Sequence, residues 1–139
     1  MTKRLLLPLA FGVAVTFAGP ASAETFKVTL DAKSEVPPNS SAGTGTADVD
    51  FDAATKKLTW KLTYSGMTGP VSAAHFHGPA EPGKNAGVAV AIPNAGTSPA
   101  EGSATLTDAQ AADLTAGKYY INVHTAANPG GEIRGQVTK

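Results

Sequence analysis

The sequence predicts an antiparallel β-sandwich with one short helix, and three observations carry that prediction. Apolar and polar residues alternate with a period of two over most of the chain, the mark of half-buried strands. The 139 residues include 15 Gly and 10 Pro, a frequency that suits many short strands and turns better than long helices. Hydrophobic residues make up 42% and charged residues 16%, enough apolar side chain for one core in a chain of single-domain length. An up-and-down barrel is the alternative architecture, and periodicity alone does not separate the two.

A segment of another kind precedes the strands. Lys3 and Arg4 stand before an uncharged run from Leu5 to Ala18, and Ala21-Ser22-Ala23 offers the small residues that a signal peptidase reads. The run is shorter than the roughly 20 apolar residues needed to span a bilayer, and it carries Pro8. Residues 1–23 are therefore read as a cleaved signal peptide. Residues 24–139 are read as a single domain working outside the cytoplasm, periplasmic or secreted, with no membrane attachment after cleavage. Losing Lys3 and Arg4 turns a formally neutral precursor into a mature chain of charge −2.

The strands follow in order. Phe26, Val28 and Leu30 share one face of the first, which stops at Glu35-Val36-Pro37-Pro38, where proline removes ladder donors. Ala47, Val49 and Phe51 alternate with Asp48, Asp50 and Asp52 in the second. Leu58, Trp60, Leu62 and Tyr64 alternate with Thr59, Lys61 and Thr63 in the third, with a hairpin turn between the two. The three aspartates read as a solvated face, because calcium loops set their carboxylates in turns with a glycine.

After a break at Gly66 to Pro70, Val71 to His77 forms a fourth strand, and a Gly/Pro-rich loop runs from Gly78 to Gly87. Val88 to Ile92 is short and apolar and reads as a strand buried on both faces; Gly102 to Leu106 reads as another strand. Thr107 caps a short helix over Asp108 to Ala116, with Gly117 at its C′ position. Tyr119, Ile121 and Val123 then alternate with Tyr120, Asn122 and His124. Beyond the turn Asn128-Pro129-Gly130-Gly131, Ile133 and Val137 mark the last strand.

Composition excludes most chemistries. With no Cys there is no disulfide, no thiolate catalysis, no Cys-based zinc site and no iron–sulfur cluster. Eleven basic residues against eleven acidic ones give no basic face for nucleic acid or an acidic membrane. What remains is three histidines: His75, His77 and His124. Residues i and i+2 of a strand point the same way, so His75 and His77 stand side by side, about 6.5–7 Å apart along the chain. His124 lies near the end of another strand. If those strand ends meet, three imidazoles converge, a donor set that suits copper or zinc and leaves a coordination position open. The plainer reading is that the histidines only form hydrogen bonds. Glu132 and Arg134 share a face of the last strand and read as a structural ion pair, with each other or with Glu35. Tyr119 and Tyr120 read as core and rim aromatics.

Four segments together resemble the CHRD domain family, the module recognised in chordin and in many bacterial secreted proteins. They are Leu30 with Glu35-Val36-Pro37-Pro38; Ala74-His75-Phe76-His77-Gly78-Pro79-Ala80; Leu106 to Gly117 with Tyr120-Ile121-Asn122-Val123-His124-Thr125; and Pro129-Gly130-Gly131-Glu132-Ile133-Arg134-Gly135-Gln136. They occur in the family's order and cover essentially all of the chain after residue 23. The resemblance implies an immunoglobulin-like β-sandwich similar to Cu,Zn superoxide dismutase. It also implies that His75, His77 and His124 stand where that enzyme places copper ligands, giving one mononuclear copper site with zinc as the alternative. The chain departs from dismutase in having no fourth His, no disulfide and no match to the motif of the arginine that guides superoxide. The function expected from these features is binding of one copper ion by an exported protein, for buffering or delivery. A copper-only redox enzyme acting on superoxide and a metal-free adhesion or interaction module are the alternatives.

Overall fold

The computed structural model describes residues 12–15 and 23–139. The signal peptide read over residues 1–23 lies outside the described residues, except for 12–15 and Ala23, the first residue of a strand. Among the described residues no helix is long and apolar enough to cross a membrane.

The elements are β1 (Ala23–Asp31), β2 (Thr44–Asp52), β3 (Lys57–Ser65), β4 (Val71–His77), β5 (Val88–Ile92), β6 (Ala100–Thr105), α1 (Asp108–Thr115), β7 (Tyr120–Thr125) and β8 (Ile133–Gln136). The alternation that predicts β1, β2 and β3 is the alternation observed: every second residue from Phe26, from Gly45 and from Leu58 is buried, until the pattern fades at each strand's end. Asp48 and Asp50 face solvent as expected. All strand pairs are antiparallel, in the order β5-β4-β7-β8-β1-β2-β3-β6. The seam between β8 and β1 is narrow, made by the register pair Asp31–Arg134. It divides the strands into two groups of four.

One core holds the groups together. Trp60 on β3 and Phe76 on β4 belong to opposite groups, yet their rings meet edge to face with centroids 5.3 Å apart. The edge strands β5 and β6 also approach each other, so the sheet wraps almost into a barrel around Leu30, Val49, Leu62, Phe76, Ile121 and Ile133, all of them fully buried. The all-β antiparallel class with one short helix therefore stands as the sequence predicts.

The helix links β6 to β7 as a crossover. Thr107 Oγ1 accepts from the Gln110 backbone N–H, and the Gln110 side chain accepts from the Thr107 N–H, which satisfies two otherwise orphaned donors. Leu114 anchors the helix in the core, and Gly117 leaves it at φ 75°.

Two expectations need correction. β5 is an edge strand paired only to β4, with Ile92 buried but Val88 57% exposed. A short apolar run signals burial only when something packs over both faces, and Val88 and Ala91 of β5 are exposed. β7 shows the opposite: Tyr120 and Asn122 on its outward face are buried. Two loops lie over that face. Gln136 Nε2 and the Arg134 guanidinium reach Ala80 O and Lys84 O of the 78–87 loop, and Asn85 Nδ2 donates onward to Val36 O.

Candidate metal centre

The outward face of β4 and β7 carries the histidines. In the β4–β7 register Ala73 faces His124, His75 faces Asn122 and His77 faces Tyr120. His75 and His77 thus project from one strand and His124 from its hydrogen-bonded neighbour, as the i, i+2 spacing and the meeting of strand ends require. β4 departs from regular pairing between Val71 and Ala73 and again between Phe76 and His77, and such irregularities re-aim the side chains beside them.

All three sequence-predicted site residues come together. One ligand atom from each of His75, His77 and His124 lies within 4.8 Å of the others. His75 Nδ1 and His124 Nε2 are 3.1 Å apart. Two nitrogens bound to one ion at about 2.0–2.1 Å lie about 3 Å from each other, so this separation already suits a shared cation. In the metal-free protein the same contact is a hydrogen bond from His75 Nδ1–H to His124 Nε2.

Backbone carbonyls fix which nitrogen of two rings is bare. His77 Nδ1 lies 2.9 Å from Ala86 O, and His124 Nδ1 lies 2.9 Å from Pro129 O. A carbonyl oxygen only accepts, so each Nδ1 carries the proton and each Nε2 presents a lone pair. His77 Nε2 is buried and has no hydrogen-bond partner. Metal-binding imidazoles are commonly oriented in this way, through the ring nitrogen that does not bind the metal. Burial, and behind it the neighbouring His124 and His77 rings, holds His75 below the usual histidine range. Burial likewise lowers His77, against the Ala86 carbonyl that accepts from its Nδ1–H and the nearby Asn122 side chain, both of which favour the charged ring. Both rings therefore keep their lone pairs at mildly acidic pH. His77 is 8% exposed, whereas His75 and His124 are half-buried, so the cluster is open on their side.

Residues that sequence reasoning did not assign to the site support it. The Tyr120 ring stacks on His77 with centroids 4.8 Å apart and planes 2° from parallel, and the Arg134 guanidinium lies 3.5 Å from the centroid of the Tyr120 ring. The Tyr120 hydroxyl bonds to both Ala86 N and Ala86 O, the same residue that fixes His77. Tyr120 is 2% exposed, a buried residue and not a rim one. Only its place in register, opposite His77, could have marked it in the sequence.

The expected ion pair does not form: among the described residues, no salt bridge joins Arg134 to Glu132 or Glu35. Arg134 instead donates to Asn85 Oδ1 and Lys84 O. Glu132, fully buried, accepts from Ser41 Oγ, Thr68 N, Thr68 Oγ1, Thr125 Oγ1 and Asn128 Nδ2. Burial alone would raise its carboxyl, but the bonds from Thr68, Thr125 and Asn128 outweigh that and hold it at about 2. Glu35 is buried too, and burial raises its carboxyl against the opposing pull of Arg134.

The family model described as CHRD domain matches residues 26–137. No curated protein and no solved structure matches the chain.

Proposed function

The chain belongs to the CHRD domain family, and from that premise we propose that it is an exported protein binding one copper ion, with zinc as the alternative, through His75, His77 and His124. The observation that carries this reading is the convergence of three imidazoles within 4.8 Å, two of them with their bare nitrogens fixed by backbone carbonyls. A bound copper ion would supply a centre for storage and transfer of the metal, and buffering or delivery is the role that follows. The chain's part is to hold the neutral imidazoles in place and to leave one flank open.

The finer fold reading, an immunoglobulin-like sandwich of the Cu,Zn superoxide dismutase type, belongs to the same proposal. The two groups of four strands joined at a narrow seam support it. So do the His-x-His on one strand and the Val-His on its neighbour. Export rests on the basic and apolar stretch before Ala23. Mass measurement of the mature protein from the host, expected to begin at Glu24, tests it; an uncleaved chain would overturn it.

Metal analysis of protein purified without an affinity tag tests the function. Near-stoichiometric copper, lost in His75→Ala, is expected; binding of neither copper nor zinc would leave the interaction-module reading instead. The exposed flank at His75 and His124 favours a second reading, redox turnover of superoxide. Turnover no faster than free copper at matched loading would exclude it.

A further inference from the structure

The geometry points to Asn122 as a fourth donor to the ion, through its side-chain oxygen. This inference rests on the metal reading above and names the ligand that the histidines leave open.

Asn122 is a register neighbour of all three histidines. It faces His75 directly across the β4–β7 pair, lies two residues before His124 on the same outward face, and is one register step from His77 opposite Tyr120. It is 3% exposed, and its Oδ1 is buried with no hydrogen-bond partner. Its amide nitrogen is accounted for. Asn122 Nδ2 donates to Gly130 O at 3.3 Å, and the Glu35 carboxylate occupies the same corner. A Cβ built at Gly131 would stand 2.3 Å from Glu35 Oε1 and 2.7 Å from Asn122 Nδ2, and Gly131 itself has φ +128°. Both neighbours on that side are acceptors, so the NH2 group belongs there and the oxygen is turned to the other side.

Three of the atoms gathered on that other side are lone-pair donors to a cation. His77 Nε2 and His124 Nε2 present lone pairs, because each ring's proton is committed to a carbonyl, and Asn122 Oδ1 presents lone pairs as well. His77 Nε2 and Asn122 Oδ1 are both buried without a partner. Two acceptors cannot satisfy each other, and buried polar atoms are rarely left unpaired. A cation satisfies both at once. A side-chain amide oxygen also has a chemical place at such a centre, as a weak donor to copper beside stronger ligands.

Copper(II) titration followed by electron paramagnetic resonance, on the full chain, tests the assignment with Asn122→Leu and Asn122→Asp beside the wild type. One ion per chain is expected in all three, since the histidines remain. Asn122→Leu should bind about 10- to 100-fold more weakly with altered g and copper hyperfine values, and Asn122→Asp, which keeps an oxygen, should restore affinity to the wild-type level or above. A copper spectrum and affinity unchanged in Asn122→Leu would overturn the fourth donor while leaving the three-histidine site standing. Absence of binding in the wild type would instead overturn the metal reading itself. Should Asn122→Leu fail to fold, wild-type protein carrying asparagine labelled with 13C at the side-chain carbonyl gives the same decision. A 13C coupling to copper in pulsed double resonance supports the donor, and its absence overturns it.

Discussion

Two buried polar clusters flank the turn between β7 and β8, and they are built on opposite principles. Around Glu132 every demand is met: one carboxylate takes five hydrogen bonds from Ser41, Thr68, Thr125 and Asn128. Around His77 and Asn122 two acceptors are buried with no donor. A saturated network stabilises one arrangement of the chain, whereas an unsaturated one leaves acceptors free, which the proposed cation would use. The two are coupled by position. Glu132 fixes Thr125 and Asn128, which bracket the loop that brings Pro129 O to His124.

The sharpest way to break the comparison is to exchange the consequences of mutation. Glu132→Leu leaves buried hydroxyl and amide donors without an acceptor and should cost about 3 kcal/mol or more of stability, read as a lowered denaturant midpoint. His75→Ala, in the other cluster, should abolish stoichiometric copper binding while shifting metal-free stability by less than about 1 kcal/mol. Equal losses of stability in both variants would erase the distinction. Next comes Gly131→Ala, which places a methyl against Glu35 at a left-handed φ. Its expected cost is about 1–3 kcal/mol, with weaker copper binding if Glu35 and Asn122 shift together.

A third effect is read on the pH scale in metal-free protein. His75 and His77 sit below 6.5 in the folded chain, so the unfolded chain binds more protons below that value, and stability falls as pH drops through it. Glu132, held at about 2 against an ordinary 4.5, contributes stability that is present above 4.5 and lost as pH falls toward 2. Thermal unfolding across pH should therefore show two separate declines. His77→Ala should shrink the upper one and Glu132→Gln the lower one; a flat profile from pH 7 to 5 would contradict the burial of neutral imidazoles. The smallest effect belongs far from both clusters. Thr107→Ala removes one half of the α1 capping box, should cost about 1 kcal/mol, and should leave copper titrations unchanged.

What the sequence discloses tracks how local each signal is. β1, β2 and β3 are legible because one face of each is buried and the other wet, which a period of two records directly. The helix is legible from Thr107 and Gly117, each meeting a local need of the backbone. β5 misleads because an apolar run carries no information about what lies over it, and β7 loses its alternation to the 78–87 loop, whose docking is a tertiary event. At the site, His75 and His77 are legible as a pair, but their meeting with His124 depends on β4 pairing with β7 across the intervening β5, β6 and α1. Asn122 needs that register too before it can be seen between them. Glu132 and Arg134 read as an ion pair because opposite charges two residues apart invite one. Hydroxyls, amides, carbonyls and a tyrosine face from distant segments take both charges instead.

The central claim is that three histidines from two neighbouring strands hold one metal ion. Isothermal titration of untagged protein with copper(II), paired with native mass spectrometry, tests it most directly. One ion bound per chain, and none near stoichiometry in His75→Ala or His124→Ala, is the result expected. Wild-type protein that takes up no copper or zinc, or a His75→Ala variant that titrates like the wild type, would contradict it.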